Sequence, residues 1–214
     1  MSPKNSVTFA NPLRSQSVDV EGINNSPGKQ LPRSGSQLTN YFRPAHSEIR
    51  FRKMRFLITD RPSDLTVDHY INDLTRHRAT VLVRVCEPTY NSEPIKLKGV
   101  VVEDWEFDDG QPPPSEVIDK WLNLCLEKFS EKAGEECIAV HCVAGLGRAP
   151  VLVGIALLEA GMKCDDAVFL IRSQRRGALN ERQLSFLQQY KGQGRLRKLR
   201  YVNDTKKEKS CVIM

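Results

Sequence analysis

The chain has 214 residues, 40 % apolar and 27 % charged, enough to bury one core with tails but too few for two large domains. Lysine and arginine total 32 against 26 acids, a net charge of +6. The excess is local: residues 191–210 carry eight basic side chains (Lys191, Arg195, Arg197, Lys198, Arg200, Lys206, Lys207, Lys209) and two acids, Asp204 and Glu208. The rest is neutral, which excludes a broadly basic nucleic-acid binder and places one basic patch at the C-terminal end.

Six cysteines at uneven spacings, with no pair in a metal-ligand arrangement, argue against a secreted disulfide scaffold and against a zinc site. No metal and no cofactor is expected. The N-terminus has no apolar signal segment, and no run approaches the roughly 18 apolar residues of a membrane span. Synthesis and folding in the cytosol are expected.

Residues 1–47 hold eight Ser, five Pro, five Asn and three Gly, with apolar residues in no period. Such a segment buries too little surface to offset its ordering entropy and reads as a disordered extension. From about residue 51, short β-rich runs alternate with helical periods, the pattern of an α/β domain with a mainly parallel sheet. Met54–Thr59 and Thr80–Val85 read as strands, with a helical period over Asp68–His77 between them, and Gly99–Val102 reads as a third strand.

After Gln111-Pro112-Pro113-Pro114, Ser115 can cap a helix whose Val117, Ile118, Trp121, Leu122, Cys125, Leu126 and Phe129 make an apolar stripe. Cys137–Val140 reads as a buried strand and Pro150–Ala160, apolar all round, as a buried helix closed by Gly161. A further helix runs from Asp165 through Arg176. Asn180-x-x-Gln183 resembles a capping box for a last helix ending near Gly192. The expected organisation is an extension over 1–47, a folded domain over 48–192, and an unordered basic tail over 193–214.

The junction between the buried strand and the buried helix reads His141-Cys142-Val143-Ala144-Gly145-Leu146-Gly147-Arg148. A five-residue loop at a helix N-terminus can curl so that successive backbone N–H groups meet at one point, an anion nest of phosphate size. Gly145 and Gly147 are expected to supply the backbone angles of that curl. The converging dipoles favour a thiolate on Cys142, and Arg148 offers two parallel donors to phosphoryl oxygens. A lone cysteine would read as a small core hydrophobe. Core packing does not account for a strand before it, a helix after it, two glycines and a terminal arginine.

Cys-x5-Arg after a strand is the phosphate loop of the protein tyrosine phosphatases. The fuller string HCVAGLGRAP, with VRVCEPTY upstream, FDDG between, RRGALN downstream and a C-terminal C-a-a-X box, resembles the phosphatase of regenerating liver subfamily from Met54 to Met214. The resemblance implies the tyrosine/dual-specificity phosphatase fold, α/β with a central, mainly parallel sheet of about four to five strands flanked by helices. It implies Cys142 as nucleophile, the backbone of Val143, Ala144, Gly145, Leu146 and Gly147 with Arg148 as phosphate cradle, and a phosphotyrosine protein as substrate.

A tyrosyl phenolate, with a pKa of about 10, leaves slowly unless protonated. The family pattern puts the general acid at Asp109, with Asp108 as a supporting neighbour. Where relatives carry Trp-Pro-Phe before it, this chain has Trp105-Glu106-Phe107. Ala149 stands where most relatives of the class have a hydroxyl that assists the departing sulfur, so slow turnover is expected. The resemblance further implies a reversible disulfide between Cys86 and Cys142, and docking of CNNM-type magnesium transport mediators on the catalytic face, with Arg176 at a matching position. Cys125, Cys137 and Cys164 are assigned to packing.

Cys211-Val212-Ile213-Met214 is a C-a-a-X box whose Met favours farnesyl. One lipid chain gives marginal anchoring, and the basic run adds attraction to anionic lipids. The expected residence is the cytoplasmic face of the plasma membrane and early endosomes, or the cytoplasm or nucleus without the lipid. The expected partners are thus phosphoproteins, magnesium transport mediators, anionic lipids and a second copy of the chain, not nucleic acid.

Overall fold

The computed structural model describes residues 46–130 and 136–199. Its strands are β1 (Ser47–Phe51), β2 (Met54–Thr59), β3 (Ala79–Arg84), β4 (Val101–Asp104) and β5 (Cys137–His141), in one sheet of order β1-β2-β5-β3-β4. β5 is central and buried at every position, which is why its first four residues are apolar without alternation. It pairs in parallel with β2 and β3, β3 pairs in parallel with β4, and β1 joins β2 antiparallel.

The helices are α1 (Val67–Arg76), α2 (Glu93–Lys96), α3 (Ser115–Ser130), α4 (Arg148–Glu159), α5 (Cys164–Gln174) and α6 (Glu181–Gln189). Alternate strand residues divide them into two layers. Phe56, Ile58, Val81, Val83, Ile138 and Val140 share a core with Trp121 of α3, Leu152 of α4, Ile171 of α5 and Leu187 of α6. Leu57, Leu82 and Ala139 point the other way, onto Tyr70, Ile71 and Leu74 of α1 and Ile95 of α2. In the larger layer Phe56 meets Trp121 and Phe129 at centroid distances of 5.4 and 5.3 Å, and Trp121 Nε1–H donates to Leu152 O at 2.7 Å.

Several boundaries differ from the sequence reading. β1 begins at Ser47, the last residue assigned to the extension; its partner is the antiparallel β2 across a tight turn at Arg52, which takes φ +53°. The third expected strand lies two residues later, at Val101–Asp104. Ser115 is itself the first helical residue of α3. Arg175 and Arg176, expected to finish α5, lie past its end at Gln174. The capping box forms: Gln183 N–H donates to Asn180 Oδ1 at 2.9 Å and Asn180 N–H to Gln183 Oε1 at 3.1 Å.

Residues 193–199, expected in an unordered tail, pack on the domain instead. The carboxylate of Glu159, fully buried at the end of α4, accepts N–H bonds from Gln193 at 3.0 Å and Arg195 at 2.8 Å, and Tyr190 O–H at 2.8 Å. Leu196 and Leu199 are buried in the larger core. Residues 1–45, and the tail from 200 that includes Cys211, lie outside the described residues.

Candidate active site

Cys142 follows β5 directly, and α4 begins at Arg148, so residues 142–147 bridge strand end and helix start. The carbonyls of this bridge are held from outside, one after another. Val143 O accepts from Arg61 N at 3.0 Å and Leu146 O from Leu179 N at 2.8 Å. Between them Arg175 reaches Ala144 O with Nη2 at 2.8 Å and Gly145 O with Nε at 2.6 Å. A trans peptide sets its N–H opposite its C=O. Four carbonyls fixed outward therefore turn the N–H groups of Ala144, Gly145, Leu146 and Gly147 toward the concave side, beside Cys142, at the N-terminus of a helix whose dipole adds to theirs.

Gly145 takes φ +65°, and a Cβ there would run into Thr59 O and Arg175 Nη2, so glycine serves both the turn and the approach of the arginine. Gly147, expected to be needed for the same conformational reason, has φ −119° and ψ −88°, so it does not share the left-handed φ of Gly145. Its size matters instead: an added Cβ would lie 2.7 Å from Gln183 Nε2.

Arg175, fully buried apart from about 1 % of its surface, has no local signal in the sequence, which points only to its neighbour Arg176. Ending α5 at Gln174 sends the two side chains apart. Arg175 goes under the loop, while Arg176 is exposed and makes no hydrogen bond or ion pair among the described residues. The turn that follows is braced by Arg172, which donates to Ala178 O at 3.0 Å and Leu179 O at 2.9 Å, holding Leu179 at φ +66°.

A cleft of about 440 Å³ is lined by Cys142, Val143, Ala144, Leu146, Gly147, Arg148, Asp109, Gly110, Gly177, Asn180 and Gln183. Cys142 is 4 % exposed and Arg148 6 %, so both sit at its floor. Arg148 Nη1 donates to Phe107 O at 3.0 Å, and its Nε lies 3.3 Å from Asp109 Oδ1. That ion pair does not meet hydrogen-bond geometry, and Nε remains a buried donor without an acceptor. Phe107 is buried in the core and fixes the loop, whereas Asp108 and Glu106 beside it are exposed. Of the two adjacent acids, Asp109 reaches the cleft and Asp108 does not line it. Gln183 spends its Oε1 on the capping box, which leaves its buried Nε2 amide without a partner at the cleft wall.

Beneath Cys142 lies a buried polar relay. His141 Nδ1 is 3.1 Å from Cys142 O, an atom that can only accept, so Nδ1 carries the proton and Nε2 accepts from Tyr90 O–H at 2.8 Å. Burial holds His141 down at about 4, so this ring is neutral at neutral pH. Cys86 Sγ lies 3.9 Å from His141 Nδ1, on the same rim as Cys142, and burial pushes its thiol up. All five cysteines among the described residues are free thiols. Ala149, fully buried in the first turn of α4, presents a methyl group and no hydroxyl. Among the described residues no group of three or more His, Cys, Asp or Glu is placed to hold a metal.

This arrangement of a thiol, a nest of N–H groups, a guanidinium and a carboxylate at the mouth suits transfer of a phosphoryl group to sulfur. Comparison with known proteins identifies the family. The protein-tyrosine phosphatase family profile matches residues 34–191. Protein tyrosine phosphatase type IVA 3 of Homo sapiens is 53 % identical over 155 residues, 72 % of this chain and 89 % of that protein. Type IVA 2 of Mus musculus is likewise 53 % identical, covering 92 % of that protein. A solved structure titled as a putative protein tyrosine phosphatase from Leishmania major superposes with TM-score 0.63 at 40 % identity, covering 69 % of this chain and 99 % of that one. With a matching profile over most of its length and relatives above half identity, the chain belongs to the protein-tyrosine phosphatase family, among its type IVA members.

Proposed function

We propose that this protein tyrosine phosphatase works through a phosphocysteine at Cys142 and completes each cycle slowly. The observation that supports this most is that one cleft is lined by Cys142, Arg148 and Asp109, on a loop whose carbonyls are held outward so that its N–H groups face in. In the first step the Cys142 thiolate attacks phosphorus. The S–P bond forms as the bond to the tyrosyl oxygen breaks, and the carboxyl proton of Asp109 passes to the leaving oxygen. In the second step water attacks phosphorus, the S–P bond breaks to restore the thiolate, and the water proton goes to Asp109. Arg148 holds two phosphoryl oxygens throughout. With Ala149 in place of a hydroxyl, nothing at the first turn of α4 hydrogen-bonds the departing sulfur, so the phosphoenzyme accumulates.

Quenched-flow hydrolysis of a phosphotyrosine peptide tests this. The expected trace is a burst of one tyrosine per active site followed by a slow phase, with Ala149→Ser speeding the slow phase and leaving the burst. Linear release without a burst, or full activity in Cys142→Ser, overturns it. Phosphoserine, phosphothreonine and phosphoinositide substrates run in the same assay define the breadth of specificity.

A second reading is favoured by Ala149 itself: a site that turns over slowly can serve as a docking face, here for CNNM-type magnesium transport mediators. Pull-downs with wild type, Cys142→Ser and Arg176→Glu test it, and normal capture by Arg176→Glu removes that residue. We further propose that Cys86 closes a reversible disulfide on Cys142 under peroxide, detected as a peptide pair by mass spectrometry under non-reducing conditions. Finally, a farnesyl group on Cys211 with the basic tail would anchor the protein to the cytoplasmic face of the plasma membrane and early endosomes. Cys211→Ser should then leave the membrane pellet at physiological salt.

A further inference from the structure

Strand order decides what stands on each side of Cys142. The chain leaving β4 carries the acid loop, with exposed Glu106 and Asp108 and with Asp109 at the cleft. On the other side of β5 lies β2, and the chain leaving β2 carries Arg61. The backbone of Arg61 is fixed to the phosphate loop, since its N–H donates to Val143 O at 3.0 Å, one residue past Cys142. Its side chain is half-buried and makes no hydrogen bond or ion pair among the described residues. The fully buried arginines of this rim are each engaged. Arg84 pairs with Asp104, Arg148 faces the cleft, and Arg175 holds the loop.

The segment that presents Arg61 is tethered at several points. Pro62 follows it buried. Ser63 and Thr66 close a turn, with Ser63 N–H donating to Thr66 Oγ1 at 2.9 Å and Thr66 N–H to Ser63 O at 2.9 Å. Asp64 Oδ1 accepts Asn91 N–H at 2.9 Å, which ties the turn to the chain after β3. Val143, bonded to Arg61 through its carbonyl, is 47 % exposed, and Leu65, four residues further along the same segment, is 93 % exposed. A partly desolvated cation on a tethered backbone, next in the fold to the exposed Val143, is pre-organised for an anion that arrives with apolar neighbours. The charge of Arg61 also reaches the thiol of Cys86, where it opposes the effect of burial, as its place on the rim requires.

We infer that Arg61 is a specificity-determining residue that binds an aspartate or glutamate beside the phosphotyrosine of a protein substrate. A phosphopeptide would lie across the mouth with its acidic residue at the β2 side, away from the like charges of Glu106 and Asp108. The inference rests on the phosphatase reading for its substrate class, but its test does not depend on turnover.

Binding of fluorescent phosphotyrosine peptides, with Glu, Ala or Lys at each of the three positions on either side, is measured by anisotropy on the Cys142→Ser background. The expected result is affinity about three- to tenfold higher for Glu than for Lys at one or two positions, weakening with salt. Adding Arg61→Ala brings the ratio close to one, and Arg61→Glu reverses it. The ratio of kcat/KM for the same peptides on the Cys142 enzyme follows the same order. If Cys142 enzyme hydrolyses nothing while the binding ratio holds, the catalytic reading fails and the role of Arg61 stands. A Glu-over-Lys ratio unchanged by Arg61→Ala, or absent in the parent, overturns the inference. So does dependence on Arg61 seen only with vesicles containing a bisphosphorylated inositol lipid.

Discussion

Asp109 Oδ1 stands 3.3 Å from Arg148 Nε, so the carboxylate of the acid loop lies against the guanidinium that faces the phosphate nest. The Asp109 side chain is 75 % exposed and that of Arg148 8 %. On the proposed mechanism an incoming phosphoryl group would compete for the buried partner and displace the exposed one, freeing Asp109 to turn toward the leaving oxygen.

Replacing Asp109 by Asn removes that competition together with the acid. Affinity for inorganic vanadate is expected to rise about threefold, the worth of a half-exposed ion pair. Hydrolysis of a phosphotyrosine peptide is expected to fall by roughly 100-fold or more, and of p-nitrophenyl phosphate, whose phenolate leaves unaided more readily, by much less. Equal losses on both substrates would separate Asp109 from leaving-group protonation. Asp108→Asn, which alters a side chain outside the cleft, should have little effect on either.

Arg175 positions the nest from outside, through Ala144 O and Gly145 O, without lining the cleft. Lysine in its place keeps the charge but cannot span Ala144 O and Gly145 O together. Leaving a buried carbonyl unpaired costs about 1–3 kcal/mol, and a loop displaced by about 1 Å loses on the order of 100-fold in rate. Arg175→Lys should therefore bind vanadate more weakly and raise KM along with lowering kcat, while chemical denaturation shows a smaller stability loss than Arg175→Ala. Vanadate affinity unchanged from wild type would show that the loop keeps its shape alone.

The two glycines of the loop separate by mechanism. Gly145→Ala meets both a left-handed backbone and two close atoms, and is expected to destabilise by about 2–4 kcal/mol. Gly147→Ala, with φ −119° and only Gln183 Nε2 in the way, should lose less stability and chiefly disturb the cleft. Urea midpoints that rank the two in the opposite order would contradict this.

His141 makes stability depend on pH. Its folded value is about 4 against an ordinary 6.5, so between these the unfolded chain binds the extra proton and the folded one does not. Stability is complete above about pH 6.5 and declines as pH falls toward 4, by on the order of 3 kcal/mol at most. Urea denaturation from pH 4 to 8 measures the slope, and His141→Asn, whose amide can still donate to Cys142 O, should flatten this contribution.

Local chemistry was legible in the residue order. The Cys142-to-Arg148 spacing, the strand before it and the helix after it are contiguous, and so is the capping box at Asn180 and Gln183, because each is closed by neighbours within a few positions. Short apolar, β-branched runs likewise marked β2, β3 and β5, whose burial follows from their places inside the sheet. β1 escaped notice because its Ser47-Glu48-Ile49-Arg50-Phe51 run is short and mixed, and only pairing with β2 makes it a strand.

What the tertiary structure decided lies in contacts between residues far apart in the chain, for which no local pattern exists. Arg175 meets loop carbonyls about 30 positions away, and the polar tail segment docks because Glu159, a lone acid in an apolar helix, needs the N–H groups of Gln193 and Arg195 once buried. The choice of Asp109 over Asp108 at the cleft turns on where Phe107 anchors the loop. A sequence states which groups are available and which neighbours they have. Which carbonyl faces outward, which acid reaches the cleft and which arginine is left without a partner among the described residues are settled only when distant segments compete for the same buried space.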